Sequence, residues 1–217
     1  MPMRRTLLLL AVALGIANTG AEFVEWRAAV YVAKPLAMLL LTLLVLTTRP
    51  ASRYRDWIAA GLLASLAGDI LLMLPQGLFV PGLVAFLIAH LCYIVAFTAD
   101  GATGRATLLP AFVVYVFASV VLASLWQSLG TMRAPVTAYV AVISTMSWTA
   151  ITRWRIHPSL GTALAAAGSL CFLLSDSSLA FRKFVAPFPG ATLGILGTYY
   201  LAQWGIALSV TDEARVR

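Results

Sequence analysis

Charge is what this sequence has least of. Asp, Glu, Lys and Arg make up 11% of its 217 residues, where an ordinary water-soluble domain carries about 25%. So few charges cannot cover a water-facing surface, and a soluble globular protein is excluded. Histidine is scarcer still. With only His90 and His157, a three-histidine zinc site within one chain is impossible, which argues against a metal hydrolase of the ceramidase type. Cysteine is limited to Cys92 and Cys171, both inside apolar runs, where they read as small packing residues rather than a disulfide or metal pair. Linkers, low-complexity stretches and a second domain are missing too.

What is present is hydrophobic. Residues of the AVILMFWYC set account for 61% of the chain, and they fall into eight runs near spanning length. A helix crossing a bilayer needs about 20 residues, with roughly 17–25 tolerated. The runs are 6–20, 28–48, 57–74, 80–98, 107–127, 133–152, 160–180 and 191–210. The expected fold is an all-α polytopic membrane protein of eight transmembrane helices in a single domain, because unpaired backbone cannot face lipid. The first run is short and follows Met-Pro-Met-Arg-Arg, so a signal peptide competes. Without a convincing small-x-small cleavage site before Glu22, a retained helix is expected.

The net charge of +7 does not signal nucleic acid, because the cations gather at the ends of the apolar runs. With the N-terminus inside, one side of the membrane carries Arg4, Arg5, Arg49, Arg53, Arg55, Arg105, Arg153, Arg155, Arg215 and Arg217. The other carries Arg27, Arg133, Arg182 and Lys183. Ten against four is a clear positive-inside bias, so both termini are expected in the cytoplasm of a bacterial-type inner membrane. The pair Arg182-Lys183 is the exception, two cations at the outer end of the seventh helix that suit a lipid or substrate phosphate.

Four ionisable residues interrupt the apolar runs: Lys34, Asp69, His90 and Asp176. Such residues cost a few kcal/mol or more inside a bilayer and are usually functional. At 1.5 Å per residue, Asp69, Asp176 and Lys34 fall roughly 8, 6 and 9 Å from the outer ends of their helices. His90 and Tyr199 come out about 15 and 12 Å from the same side. Polar groups scattered for helix packing would have no reason to share a level. The convergence implies one polar cavity, opening towards the outer leaflet and walled by the second, third, fourth, seventh and eighth helices. Each residue also has a plain structural reading: an interhelical hydrogen bond for either aspartate, a backbone partner for His90, a snorkelling Lys34. Tyr93, Tyr199 and Tyr200 double as packing or interfacial residues, and Glu22 and Glu25 read as solvated.

Five segments occur in order. They are Lys34-Pro35-Leu36; Gly68-Asp69 followed by Leu72; Gly82-Leu83-Val84-Ala85-Phe86-Leu87-Ile88-Ala89-His90-Leu91-Cys92-Tyr93; Gly168 to Asp176 (Gly-Ser-Leu-Cys-Phe-Leu-Leu-Ser-Asp); and Tyr199-Tyr200-Leu201-Ala202-Gln203. The set resembles the YhhN family of integral membrane proteins, whose characterised members are lysoplasmalogenases, and it spans the second to the eighth helix. The resemblance implies hydrolysis of a lysoplasmalogen's vinyl ether to a fatty aldehyde and a glycerophospho-ethanolamine or -choline, with a lysophospholipid as partner and no cofactor or metal.

That chemistry begins with protonation of an alkene carbon and passes through an oxocarbenium ion. It needs one carboxylic acid that still holds its proton, and a second, anionic group to stabilise the cation and activate water, as in glycosidases. Asp69, the deeper carboxyl, is expected as the acid and Asp176 as the base or cation stabiliser. His90 is expected to orient water or relay a proton. Lys34, with Arg182 or Lys183, is expected to hold the phosphate, and Tyr93, Tyr199, Tyr200 and Gln203 to line the substrate site. The competing reading is a proton-coupled transporter of a small molecule or lipid. Gly68-Asp69 with Leu72 is echoed by Ser175-Asp176 with Leu179 four helices later, a faint four-plus-four repeat that would fit either function.

Overall fold

The computed structural model describes residues 2–99, 101 and 108–216, with the side chains of 2 and 212–216 excepted. Arg105, Thr107 and Arg217, and the side chain of Arg215, lie outside the described residues. Eight α-helices follow in order: α1 (Pro2–Phe23), α2 (Arg27–Leu46), α3 (Arg53–Met73), α4 (Phe79–Thr98), α5 (Leu108–Leu125), α6 (Arg133–Ile156), α7 (Leu160–Phe184) and α8 (Ala191–Val216). Each is long and apolar enough to cross a membrane. The chain is an integral membrane protein, all-α among the described residues.

Several helices outrun the apolar stretches that announced them, because hydropathy marks the lipid-crossing part while backbone hydrogen bonds continue to the next cap. α3 begins at Arg53 rather than 57, where the Ser52 hydroxyl accepts the Arg55 amide at 3.1 Å. α7 starts in a capping box, Ser159 and Thr162 each satisfying the other's backbone amide; such caps supply partners for donors that the helix itself leaves orphaned. At its far end α7 carries Arg182 and Lys183 in the last turn, where cations complement the helix dipole. α2 keeps Pro35 in its interior, directly after Lys34.

Consecutive helices pack on one another, except that α4 meets α6 rather than α5. α5 rests on α6 and α7 and is the least buried of the eight. α8 is the most buried, touching α1, α2 and α3 as well as α7. Lipid supplies no hydrophobic drive for helices to meet, so close approach over small residues carries the association. At the α7–α8 crossing a side chain on Gly168 would stand 2.8 Å from the Ala202 carbonyl oxygen, and one on Gly205 2.8 Å from that of Leu164. Neither neighbour is a flexible side chain that can swing away. Gly168→Val is therefore expected to prise α8 from α7, at about 1–3 kcal/mol for overpacking. Thermal unfolding in detergent checks it, with Gly194→Ala as control, since nothing lies within 4 Å of a side chain there.

Candidate functional site

At the end of the bundle formed by the α1–α2, α3–α4 and α7–α8 connections lies a cavity of about 560 Å³. Its deep wall is Lys34 on α2, Asp69 on α3, Asp176 on α7 and Tyr199 on α8, and its mouth carries Glu22, Glu25, Arg27, Arg182 and Lys183. The polar side chains of four helices thus meet in one space.

Asp69 is 1% exposed. One of its carboxyl oxygens stands 2.9 Å from the Lys34 ammonium, and the other accepts a short hydrogen bond from the Tyr199 hydroxyl. The same ammonium lies 5.3 Å from the centre of the Tyr199 ring, so cation, anion and ring form one closed unit. A buried charge is tolerable only with such partners. Gly68, the residue before it, makes room for the Phe86 ring, which a side chain there would meet at 2.6 Å.

Asp176 has a different partner. Its carboxyl accepts a short hydrogen bond from the hydroxyl of Tyr139 on α6, and no ion pair to it occurs among the described residues. One residue back, the Ser175 hydroxyl donates to the Ile195 carbonyl at 3.0 Å, tying α7 to α8. Tyr139 gives no signal in the sequence, being one aromatic in an apolar run and 37 positions from its carboxyl.

Beneath both carboxyls sits a set of rings. Phe172 is edge-on to Phe86, His90 and Tyr199 at centroid distances of 6.1, 4.7 and 5.6 Å. His90 is also edge-on to Tyr139 at 5.2 Å. It is fully buried, neither ring nitrogen has a hydrogen-bond partner among the described residues, and it does not line the cavity. Its path to Asp176 runs through the Tyr139 ring.

Three of the expected substrate residues, Tyr93, Tyr200 and Gln203, also lie off the cavity. The Tyr93 hydroxyl donates to the Gln203 side-chain oxygen at 3.1 Å and lies 3.4 Å from the Ser65 hydroxyl, one turn below Tyr199. Tyr200 faces the other way, stacked on Trp204 at 5.7 Å and close against Gly15 of α1. At the mouth, the Arg182 guanidinium is 3.4 Å from the Thr192 hydroxyl, the Lys183 ammonium is 5.1 Å above the Phe79 ring, and Arg27 is 3.8 Å from Glu22. Lys34 is committed to Asp69 and Arg27 is paired with Glu22, so Arg182 and Lys183 are the mouth cations without an ion-pair partner among the described residues. Among the described residues no group of three or more His, Cys, Asp or Glu side chains converges as a metal site would require.

An eight-helix membrane bundle with one buried and one half-buried carboxyl facing one cavity is the class that fold and site define. The chain belongs to the YhhN family, whose model matches residues 29–210. It is 33% identical over 171 residues to the Sus scrofa protein named lysoplasmalogenase TMEM86B, covering 76% of this chain and 67% of that one. It is 35% identical over 161 residues to the Homo sapiens lysoplasmalogenase TMEM86A, covering 72% and 65%. The Mycobacterium tuberculosis protein named lysoplasmalogenase is 33% identical over 161 residues, covering 71% and 60%. These matches span about two thirds of the relatives' length. No solved structure matches the chain.

Proposed function

We propose that this protein is a membrane-embedded hydrolase of the lysoplasmalogenase type, cleaving the vinyl ether of a lysoplasmalogen to a fatty aldehyde and a glycerophospho-headgroup. One observation carries the reading: two carboxyls share a cavity but have unlike partners, Asp69 an ammonium and Asp176 a tyrosine hydroxyl. Unlike surroundings are how two carboxyls come to serve as acid and anion.

The pairing favours a division of labour opposite to the one expected from depth. Asp69, bound to an ammonium, is the standing anion. Asp176, without a cation, is the proton donor. Its O–H proton goes to the alkene carbon remote from oxygen, and the alkene's π electrons form the new C–H bond. The carbon attached to oxygen becomes an oxocarbenium carbon, facing the Asp69 carboxylate. Water adds there and gives up a proton to the Asp176 carboxylate; the hemiacetal then loses its hydroxyl proton as its bond to the glycerol oxygen breaks and that oxygen takes up a proton from Asp176. The products are an aldehyde and an alcohol. His90 is a positioning residue in this scheme, holding the Tyr139 ring, and Arg182 and Lys183 receive the phosphate.

The test is aldehyde release from a lysoplasmalogen by purified, monodisperse protein in detergent. Turnover needs no sealed membrane, whereas a carrier does. Inert protein in detergent that accumulates substrate in proteoliposomes overturns the proposal.

The cation bias further orients the cavity mouth to the outer leaflet. A phosphatase reporter, active only outside the cytoplasm, is expected to be silent at the C-terminus and active when inserted after Phe188. An active C-terminal fusion reverses the orientation.

A further inference from the structure

A second space adjoins the polar cavity. It is a narrow slot, lined mostly by apolar side chains, including Leu83 on α4, Ala118 and Val121 on α5, Val136 on α6 and Leu173 on α7. It shares Leu72, Phe79, Phe86, Asp176 and Leu179 with the cavity, so the two lie against each other and Asp176 is on the lining of both. Asp69 faces the polar cavity alone. Among the described residues no Cα of α4 comes within 8 Å of one in α5, so these two walls of the slot are not packed against each other.

We infer that this slot binds the single hydrocarbon chain of the lyso-ether substrate, entering between α4 and α5, and that its α5 wall selects chain length. The inference rests on the hydrolase reading above. A polar cavity with cations at its mouth and a narrow apolar slot at its base match a molecule with one phosphate head and one chain. In that molecule the vinyl ether is the boundary between head and chain, and Asp176 occupies the corresponding boundary between the two spaces. Each methylene buried in the slot adds to affinity in proportion to its apolar surface. A two-chain lipid has no second slot for its other chain.

The experiment separates binding from turnover. Saturated 1-O-alkyl lysophosphatidylcholines of eight, twelve and sixteen carbons lack the alkene and are not cleaved. They are expected to raise the melting temperature of the purified protein increasingly with chain length. Ala118→Leu and Val121→Phe fill the slot from α5 and are expected to lower the preference for sixteen over eight carbons at least about tenfold, the worth of roughly two buried methylenes. A lysolipid with a diazirine at its chain end should label α5 residues in folded wild-type protein, which keeps the test standing if a variant does not fold. A diacyl phosphatidylcholine should not displace that label. An unchanged chain-length profile in folded variants, a label spread evenly over lipid-facing helices, or displacement by the two-chain lipid each overturns the inference. Slot labelling by a protein inert to lysoplasmalogen would instead strike the hydrolase reading and leave the slot standing.

Discussion

Asp176→Asn abolishes aldehyde release, by 10²–10⁴-fold if one positioned proton donor is lost, and leaves the melting temperature unchanged. The amide matches the carboxyl in shape, and its carbonyl oxygen can still accept the Tyr139 hydroxyl that the native carboxyl accepts. It has no proton to deliver to carbon. Tyr139→Phe is the graded companion. It removes the hydrogen bond but keeps the ring against His90, so turnover falls less than in Asp176→Asn. Initial rates of aldehyde formation under saturating lysoplasmalogen check both. A folded Asp176→Asn variant with near-native turnover would reject the donor assignment.

Lys34→Met has the second large effect, and it falls first on stability. The substitution leaves the Asp69 carboxylate, 1% exposed, without its cation, and stripping one partner from a buried pair typically costs about 3–5 kcal/mol. Asp69→Asn is milder. The Lys34 side chain lines the cavity and is 13% exposed, so its flexible stem can carry the ammonium towards the mouth. The double variant Lys34→Met/Asp69→Asn buries no charge and should melt close to wild type while remaining inactive. Melting temperatures of the three variants form a double-mutant cycle whose coupling term isolates the pair. Additive losses across the cycle would show that the 2.9 Å contact holds nothing together.

The eight spans were legible because a bilayer admits little besides long apolar helices, and their composition reports that demand directly. Lys34, Asp69 and Asp176 stood out for the same reason, as charges where charge is costly. What stayed hidden was the rotation of each helix about its axis. Spacing along α2 gives the depth of Lys34 but not its direction, so it read as a phosphate partner when its ammonium faces Asp69. Tyr93 and Gln203 share a neighbourhood with the site yet bond to each other a turn below it, a difference of one helical step that no linear pattern encodes. Tyr139 was missed because a tyrosine in an apolar run is ordinary until its hydroxyl is seen on a carboxyl. The slot was invisible too, since it depends on α4 skipping α5 to pack against α6.

The central position of α8 bears on how the protein is made. The helix that touches α1, α2, α3 and α7 follows the other seven along the chain. At a synthesis rate of roughly 5–20 residues per second, its 26 residues take about 1–5 s to emerge. Until then Asp69 has Lys34 but lacks the Tyr199 hydroxyl, and the glycine seam of α7 is bare. A ribosome-bound chain of seven helices is therefore an unfinished shell open to lipid and to proteolysis, and arrival of the eighth both plugs the shell and assembles the site. Quality control that clips truncated chains would meet them in that window, before any of them can act on a lipid.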